Sequence, residues 1–352
     1  VVSIGAYAFK GCTGLESMTL NSVYSIGEGA FDGCVNMTEL TVNTSMNPAG
    51  LESGIRAPRS VEIDGKSFQG INPNCLIFVA DAGIASSIAG KSNIVLTEGG
   101  TRVAFTDISL TGGYPFNAPG SFRLGDKSIA YRATVCVAPV DLNSGWTGIV
   151  VPFAPSSVAV DGVECTFASS GSGSVSLYSF GMPDDEKLSQ QSSMMPDVPY
   201  LVRVNGDNAG TAEVVFRTSG TADVDVYDVS LTPADTDIVS VGKEFSLYGT
   251  YSGRNAVEGD YLLDESGEVF ALHDASSEEA CRVVPFSVYA RYNDVPQGDE
   301  IRIGDNKTSF VDTVQGFARD GLKISRDGSI LIVESDRSRV IDIFNIAGVL
   351  VA

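Results

Sequence analysis

Apolar and polar positions follow one pattern twice near the start of the chain, the second copy lying 22 positions after the first. Ser3-Ile4-Gly5 recurs as Ser25-Ile26-Gly27, and Ala8-Phe9 recurs as Ala30-Phe31. A period in the low twenties with apolar residues spaced L-x-x-L-x-L is typical of leucine-rich coils, each of which buries its apolar stripe only against its neighbours. The pattern therefore predicts a short solenoid.

Each copy predicts a turn or helical segment followed by a strand, over residues 16–20 in the first copy and 38–42 in the second. Because successive side chains of a strand point to opposite faces, the apolar positions face inward and the polar positions face solvent. A degenerate third copy over residues 66–79 is predicted to close the solenoid, since terminal repeats are usually atypical. The outward positions form the candidate binding face: Ser17, Thr19, Asn21, Glu39, Thr41 and Asn43.

The repeated phrase Ile-Gly-x-x-Ala-Phe-x-Gly-Cys-x-x-Leu resembles the BspA-type leucine-rich repeats of bacterial surface proteins. This resemblance implies export to the cell surface or beyond, and a role in adhesion or ligand contact. Phe9 and Phe31 occupy matching places in the two copies, as do Cys12 and Cys34. We therefore predict that each pair lies one above the other in neighbouring coils.

Short alternating apolar segments, separated by Gly, Pro, Asn and Asp, fill most of the chain beyond residue 100. Many short strands with this spacing predict an antiparallel sandwich. The predicted fold class is mainly β, a short leucine-rich repeat solenoid followed by antiparallel β-sandwich modules. The predicted organisation is repeats over 1–80, a connector with a short helix over 81–100, one or two sandwich modules over 101–304, a linker over 305–320 and a partial C-terminal β domain over 321–352.

Two further resemblances concern the later regions. The phrase over residues 145–153 is similar to sequences of the β-rich module that follows such repeats in surface proteins. The tail from Gly321 resembles the opening strands of C-terminal sorting domains in secreted bacterial proteins. Neither resemblance implies an activity or a site.

Charge and hydropathy narrow the classes of partner. The chain of 352 residues has a net charge of −21, which disfavours nucleic acids and anionic lipid surfaces because both are held largely through Lys and Arg. No apolar stretch approaches the roughly 20 residues that a bilayer span needs, so we predict no transmembrane segment. The resemblance to BspA-type repeats implies an extracellular or cell-surface location, attached to the outer membrane, with an extracellular protein or glycan as partner.

The residues that carry chemistry favour binding over catalysis. The chain has one histidine, His273, which we interpret as an exposed or edge residue rather than a catalytic base. The six cysteines have no C-x-x-C spacing, and we interpret them as buried free thiols. Trp146 precedes an apolar strand and is interpreted as a core or strand-edge anchor rather than a sugar platform. We predict no catalytic residue, no cofactor and no metal, and leave calcium binding open.

Three functional hypotheses follow from these patterns. The first is non-catalytic adhesion to an extracellular or host macromolecule through the candidate binding face. The second is a carbohydrate-binding or carbohydrate-active protein that uses the sandwich region, for which a cleft with exposed aromatics and two carboxylates about 5 to 9 Å apart would indicate hydrolysis. The third is a structural spacer.

Overall fold

A computed structural model describes residues 3–23, 25–43, 62–139, 144–183, 185–219, 238–273, 282–294 and 299–303, together with the backbone of 322–327 and 330–335. The chain divides into two units, Val1–Ile303 and Gly304–Ala352. The predicted linker over 305–320 lies outside the described residues. In the second unit, β26 (Leu322–Asp327) and β27 (Ile330–Ser335) pair antiparallel. The other strands all belong to the first unit.

The solenoid is built from two ribbons of strands. The narrow ribbon has the order β1-β3-β5 and the wide ribbon has the order β2-β4-β6-β7-β8, with parallel pairing throughout except between β7 and β8. The elements are β1 (Ser3–Ile4), β2 (Ser17–Asn21), β3 (Ser25–Ile26), β4 (Glu39–Asn43), β5 (Glu62–Ile63), β6 (Leu76–Val79), α1 (Ala82–Ser87), β7 (Ile94–Glu98) and β8 (Thr101–Ala104).

The inner face of the solenoid confirms the predicted stacking of the repeats. The rings of Phe9 and Phe31 stack with centroids 5.4 Å apart, and the ring of Phe68 continues the ladder 6.1 Å from Phe31. The Cys34 thiol donates a hydrogen bond of 3.1 Å to the carbonyl of Phe9. The second and third coils therefore bury their aromatic rings and the thiols of Cys34 and Cys75, whereas Phe9 of the first coil is half-buried.

The solenoid sheet continues through residues 81–100, the range predicted as a connector. Asp81 caps α1, because its Oδ1 accepts hydrogen bonds from the N–H groups of Gly83 and Ile84. After this predicted short helix, β7 pairs with β6 in parallel, so the range adds a strand to the wide ribbon. The apolar run Ile94-Val95-Leu96 is the sequence feature that makes this range part of a buried sheet rather than a spacer.

Two larger sheets follow the solenoid. The nine-stranded sheet has the order β13-β12-β17-β10-β16-β14-β15, with β9 beside β10 and β11 beside β16. Its strands are β9 (Ile108–Thr111), β10 (Ser128–Ala138), β11 (Thr147–Ile149), β12 (Ser157–Val160), β13 (Val163–Cys165), β14 (Val175–Ser179), β15 (Ser189–Gln190), β16 (Tyr200–Asn205) and β17 (Gly210–Ser219). Two of its pairings, β9 with β10 and β10 with β16, are parallel, so this sheet is mixed rather than purely antiparallel.

The second sheet is antiparallel, with the order β18-β19-β24-β21-β22-β25, and a small ribbon of β20 and β23 accompanies it. Its strands, with those of the ribbon and the C-terminal hairpin, are β18 (Val239–Val241), β19 (Phe245–Gly249), β20 (Arg254–Asn255), β21 (Tyr261–Leu263), β22 (Val269–Leu272), β23 (Arg282–Val283), β24 (Val288–Tyr292), β25 (Glu300–Arg302), β26 (Leu322–Asp327) and β27 (Ile330–Ser335).

The buried side chains form layered cores. On β16, Tyr200 and Val202 lie in the core of the nine-stranded sheet, whereas Leu201 between them lies in a core shared with Leu247 and Phe270 of the six-stranded sheet. This alternation places the nine-stranded sheet between two apolar layers, because neighbouring strand residues face opposite sides. The fold is mainly β, as predicted from the alternating segments.

Candidate functional site

The candidate binding face is assembled by the parallel pairing of β2 with β4. The register sets Ser17 beside Glu39, Thr19 beside Thr41 and Asn21 beside Asn43. The structure therefore brings all six predicted positions together in three rows of two. The intervening Leu20, Leu40 and Val42 are buried in the solenoid core, as the alternation requires.

Polar side chains of this face hydrogen bond to one another while their outer sides stay in contact with solvent. Asn43 Nδ2 donates to Asn21 Oδ1 over 3.1 Å, and Thr41 Oγ1 donates to Glu39 Oε1 over 3.2 Å. Residues 17, 19 and 21 of β2 are exposed, whereas 39, 41 and 43 of β4 are half-buried. The face thus offers ordered donors and acceptors and a single carboxylate.

The face ends at β4 because the β-rich region covers the rest of the sheet. Thr41 is in register with Phe78 of β6, which is in turn in register with Val95 of β7. Phe78 is 2% exposed and Val95 is fully buried, and both lie in the core of the nine-stranded sheet. Their neighbours Ile77 and Ile94 lie in the solenoid core instead. The last two parallel strands are therefore buried on both faces.

Sequence reasoning missed this covered part of the sheet, although a pattern for it exists. β6 has the sequence Leu-Ile-Phe-Val, and all four residues are buried. An unbroken apolar run is typical of a parallel strand buried on both faces, whereas β2 and β4 alternate between polar and apolar residues. The run therefore indicates that another layer packs on the outer face at this coil.

Three buried asparagines fasten the β-rich region to the end of the solenoid. Asn74 Nδ2 donates to the carbonyls of Thr111 and Tyr114, and its Oδ1 accepts from the N–H of Thr111 over 2.7 Å. Asn93 pairs in the same way with both backbone groups of Ser109. Asn72 Nδ2 donates to the carbonyl of Pro115 over 2.8 Å. We call Asn72, Asn74 and Asn93 the asparagine clamp.

The cysteines do not form a reactive site among the described residues. Cys34 and Cys75 are buried free thiols, as predicted, and burial raises the pKa of both thiols. Because the thiolate is the nucleophile and the metal ligand, these thiols are poor candidates for either role. The prediction of burial is wrong for Cys12, which is exposed on the first coil, while Cys136 and Cys165 are half-buried. Cys281 lies outside the described residues.

His273 and Trp146 occupy structural positions. His273 directly follows β22 and is half-buried. Its backbone N–H donates a hydrogen bond of 2.8 Å to the carbonyl of Asp260. Trp146 is 6% exposed, with the Arg203 guanidinium 4.5 Å above its ring and the Tyr178 ring 5.1 Å away. This confirms the interpretation of Trp146 as a core anchor. Over the described ranges, no group of three or more His, Cys, Asp or Glu side chains is arranged to hold a metal ion.

Comparison with known families agrees with the repeat geometry. Residues 1–53 match the family described as BspA type Leucine rich repeat region (6 copies). The N-terminal coils are therefore BspA-type leucine-rich repeats, a class of repeat associated with surface proteins. The match does not extend to the β-rich region.

Comparisons with curated proteins and with solved structures give no match. Within the described parts of the chain, no helix has the length and apolar character needed to cross a bilayer.

Proposed function

We propose that this protein is a non-catalytic binding protein of the bacterial cell surface that attaches to an extracellular or host macromolecule through the candidate binding face. The observation that carries the proposal is the in-register polar ladder on β2 and β4, set on repeats of the BspA type. Exposed polar residues on a rigid repeat scaffold are typical of repeat proteins that bind other macromolecules.

The dimensions of the face define the kind of contact it makes. Parallel strands lie about 4.8 Å apart, so β2 and β4 provide only a narrow strip. The area of this strip is much smaller than the roughly 800 Å² per partner of a standard interface. The strip therefore supplies one part of a larger contact. Its amides and hydroxyls suit an uncharged polar partner, such as a protein backbone or a neutral glycan, because each offers both donors and acceptors.

A charge-reversal experiment tests this face. Thr19→Lys, Glu39→Lys and Thr41→Lys are combined in one variant, and attachment is measured on arrays of extracellular-matrix proteins and glycans. Long cationic side chains cover the strip and disrupt its hydrogen bonds, so attachment should fall at least tenfold, corresponding to about 1.4 kcal/mol. Folding should be retained, because Thr19 is exposed, Glu39 and Thr41 are half-buried on the solvent side of the sheet, and a surface substitution usually changes stability by about 0.5 kcal/mol or less.

The matched control carries the same changes on the β-rich region. Glu164, Thr166 and Thr211 are all exposed, so their combined replacement by Lys produces the same charge change at a distant surface. The control should attach like the native protein. Equal attachment by all three proteins would remove the face from consideration, and equal loss in both variants would show a general effect of charge.

The carbohydrate alternative receives less support from the geometry of the β-rich region. The aromatic rings that line a cleft of this region belong to Tyr131, Trp146 and Phe286, and each is at most 6% exposed. A ring that stacks on a sugar must present its face to solvent or to a ligand. The structure therefore favours the repeat face over a sugar platform in the β-rich region.

A further inference from the structure

A cleft of about 700 Å³ lies between the nine-stranded and six-stranded sheets. One wall is the end of β9 with the middle of β10, and the opposite wall is the segment from β23 to the start of β24. Typical ligand pockets measure about 300–1,000 Å³ and are lined mainly by apolar groups with a few placed polar ones. This cleft has that size and that kind of lining, with Ile149, Val283 and Pro285 among its apolar members.

Two polar side chains in the lining, Trp146 and Tyr131, make no side-chain hydrogen bond to a described residue. Trp146 Nε1 is fully buried and makes no hydrogen bond. Tyr131 is 2% exposed, and no hydrogen bond joins its hydroxyl to a described residue. A methyl group on Gly112, a residue of the cleft wall, would lie only 2.8 Å from Tyr131 Oη. Because buried polar groups are normally paired, the Tyr131 hydroxyl at the cleft wall indicates a ligand that supplies an acceptor.

A gap in the strand pairing adds a backbone donor and acceptor to the cleft. On one edge of β10, pairing with β9 ends at Arg132 and pairing with β16 begins at Val137. The Gly112 N–H donates to the Arg132 carbonyl over 2.9 Å, which fixes the backbone groups of Arg132 toward this edge. The backbone N–H and C=O groups of Thr134, two residues later, point toward the same edge of β10. Thr134 lines the cleft, and no described strand pairs with it there.

We propose that this cleft binds a short extended peptide segment with apolar side chains. A carbonyl of the segment accepts a hydrogen bond from the Tyr131 hydroxyl, and its amide group pairs with the free backbone edge at Thr134. Its side chains pack on the aliphatic lining. Adding an extended peptide to an unpaired strand edge gives affinity through backbone hydrogen bonds, and side-chain pockets give selectivity.

Trp146 provides the readout, since it is the single tryptophan of the chain and lines the cleft. The full chain is titrated with acetylated and amidated tripeptides of valine, leucine or phenylalanine, and Trp146 emission is recorded. Matched tripeptides of serine or lysine and neutral trisaccharides are tested in parallel. The apolar tripeptides should give a saturable change in emission and the others should not. A response to no peptide, or to trisaccharides alone, would overturn the proposal.

Tyr131→Phe tests the assigned donor without changing the shape of the ring. It should weaken tripeptide binding by about three- to tenfold, the value of one hydrogen bond. The control is Tyr248→Phe, whose half-buried ring stacks on Tyr289 and is not part of the cleft. Tyr131→Phe should melt at or above the melting temperature of the native protein. Tyr248→Phe should melt near that temperature. Identical affinities in both variants would contradict the assignment.

Discussion

One row of the solenoid sheet contrasts a solvent-facing half with a covered half. Thr19, Thr41, Phe78 and Val95 are register neighbours on four adjacent parallel strands. Thr19 is exposed and Thr41 is half-buried, whereas Phe78 and Val95 are buried. The comparison shows that the coil repeat determines the inner face of each strand, while the layer packed outside determines the outer face.

The covered half also explains how the two regions act as one unit. Phe78 and Val95 share a core with Leu110 and Val202 of the nine-stranded sheet. Burying a large apolar side chain contributes about 1.5 to 3 kcal/mol relative to leaving it exposed. The outer face of β6 and β7 therefore stabilises the fold, and the outer face of β2 and β4 remains available for binding.

The largest expected effect comes from truncating the covered member of the row. Phe78→Ala removes a buried aromatic ring and should lower the free energy of unfolding by about 3 to 5 kcal/mol. Thr41→Ala, at the register neighbour, should change it by about 0.5 kcal/mol or less. Denaturant unfolding followed by circular dichroism measures both. Similar losses in the two variants would show that the two halves of the row are equivalent.

A buried and a surface ion pair give a second comparison, with a slightly smaller expected change in the free energy of unfolding. Asp260 is fully buried, and its carboxylate contacts the guanidinium groups of Arg254 at 2.8 Å and Arg291 at 2.7 Å. Asp32, on the solenoid, pairs with Lys10 at 3.0 Å on the surface. Asp260→Asn should lower the free energy of unfolding by about 3 kcal/mol, because it removes the buried carboxylate that compensates the partly exposed guanidinium groups of Arg254 and Arg291. Asp32→Asn should cost about 0.5 kcal/mol or less.

The pH dependence of the Asp260 site sharpens this prediction. Burial opposes ionisation of Asp260, but hydrogen bonds from Arg254, the Val257 N–H and Arg291 outweigh it and lower the pKa of the carboxyl. Because the pKa is lower in the folded state, the ionised carboxylate stabilises the fold at pH values above its unfolded-state pKa of about 3.9. This stabilisation is lost as the pH falls through the folded-state pKa. The difference in the free energy of unfolding between the native protein and Asp260→Asn should therefore shrink below about pH 4. A constant difference down to pH 2 would contradict it.

A third comparison concerns asparagines in the two halves of the solenoid sheet region. Asn74→Ala removes a buried side chain of the asparagine clamp and leaves part-buried backbone groups of Thr111 and Tyr114 without this partner, which should cost about 2 kcal/mol. Asn43→Ala removes one hydrogen bond on the binding face and should cost about 0.5 kcal/mol or less. Thermal unfolding distinguishes them. Equal melting temperatures would show that the clamp does not contribute to the junction.

The repeat pattern predicts the inner architecture well because it is local. The 22-residue spacing of Phe9 and Phe31 is sufficient to predict their stacking, and the alternation of β2 and β4 predicts which side chains are buried. The covering of Phe78 could not be derived from spacing, since it depends on contacts with strands much later in the chain. The clamp has the same origin, because Asn74 meets its partner Thr111 only after folding.

The peptide cleft was also outside the reach of sequence reasoning. Trp146 precedes an apolar strand, which correctly predicts burial. The gap beside Thr134, which lines the same cleft as Trp146, results from the departure of β9 from β10, which no local pattern encodes. Sites formed between sheets are determined by long-range pairing.

Thiol accessibility along the shared row tests the central claim most directly. Thr19→Cys and Val95→Cys are made in a background where the exposed Cys12 and the half-buried Cys136 and Cys165 are replaced by Ser. Each protein is then treated with a water-soluble maleimide under native conditions. The cysteine at position 19 should react at the rate of a free thiol, and the one at position 95 only after unfolding. Equal native rates at both positions would contradict the covering of the solenoid by the β-rich region.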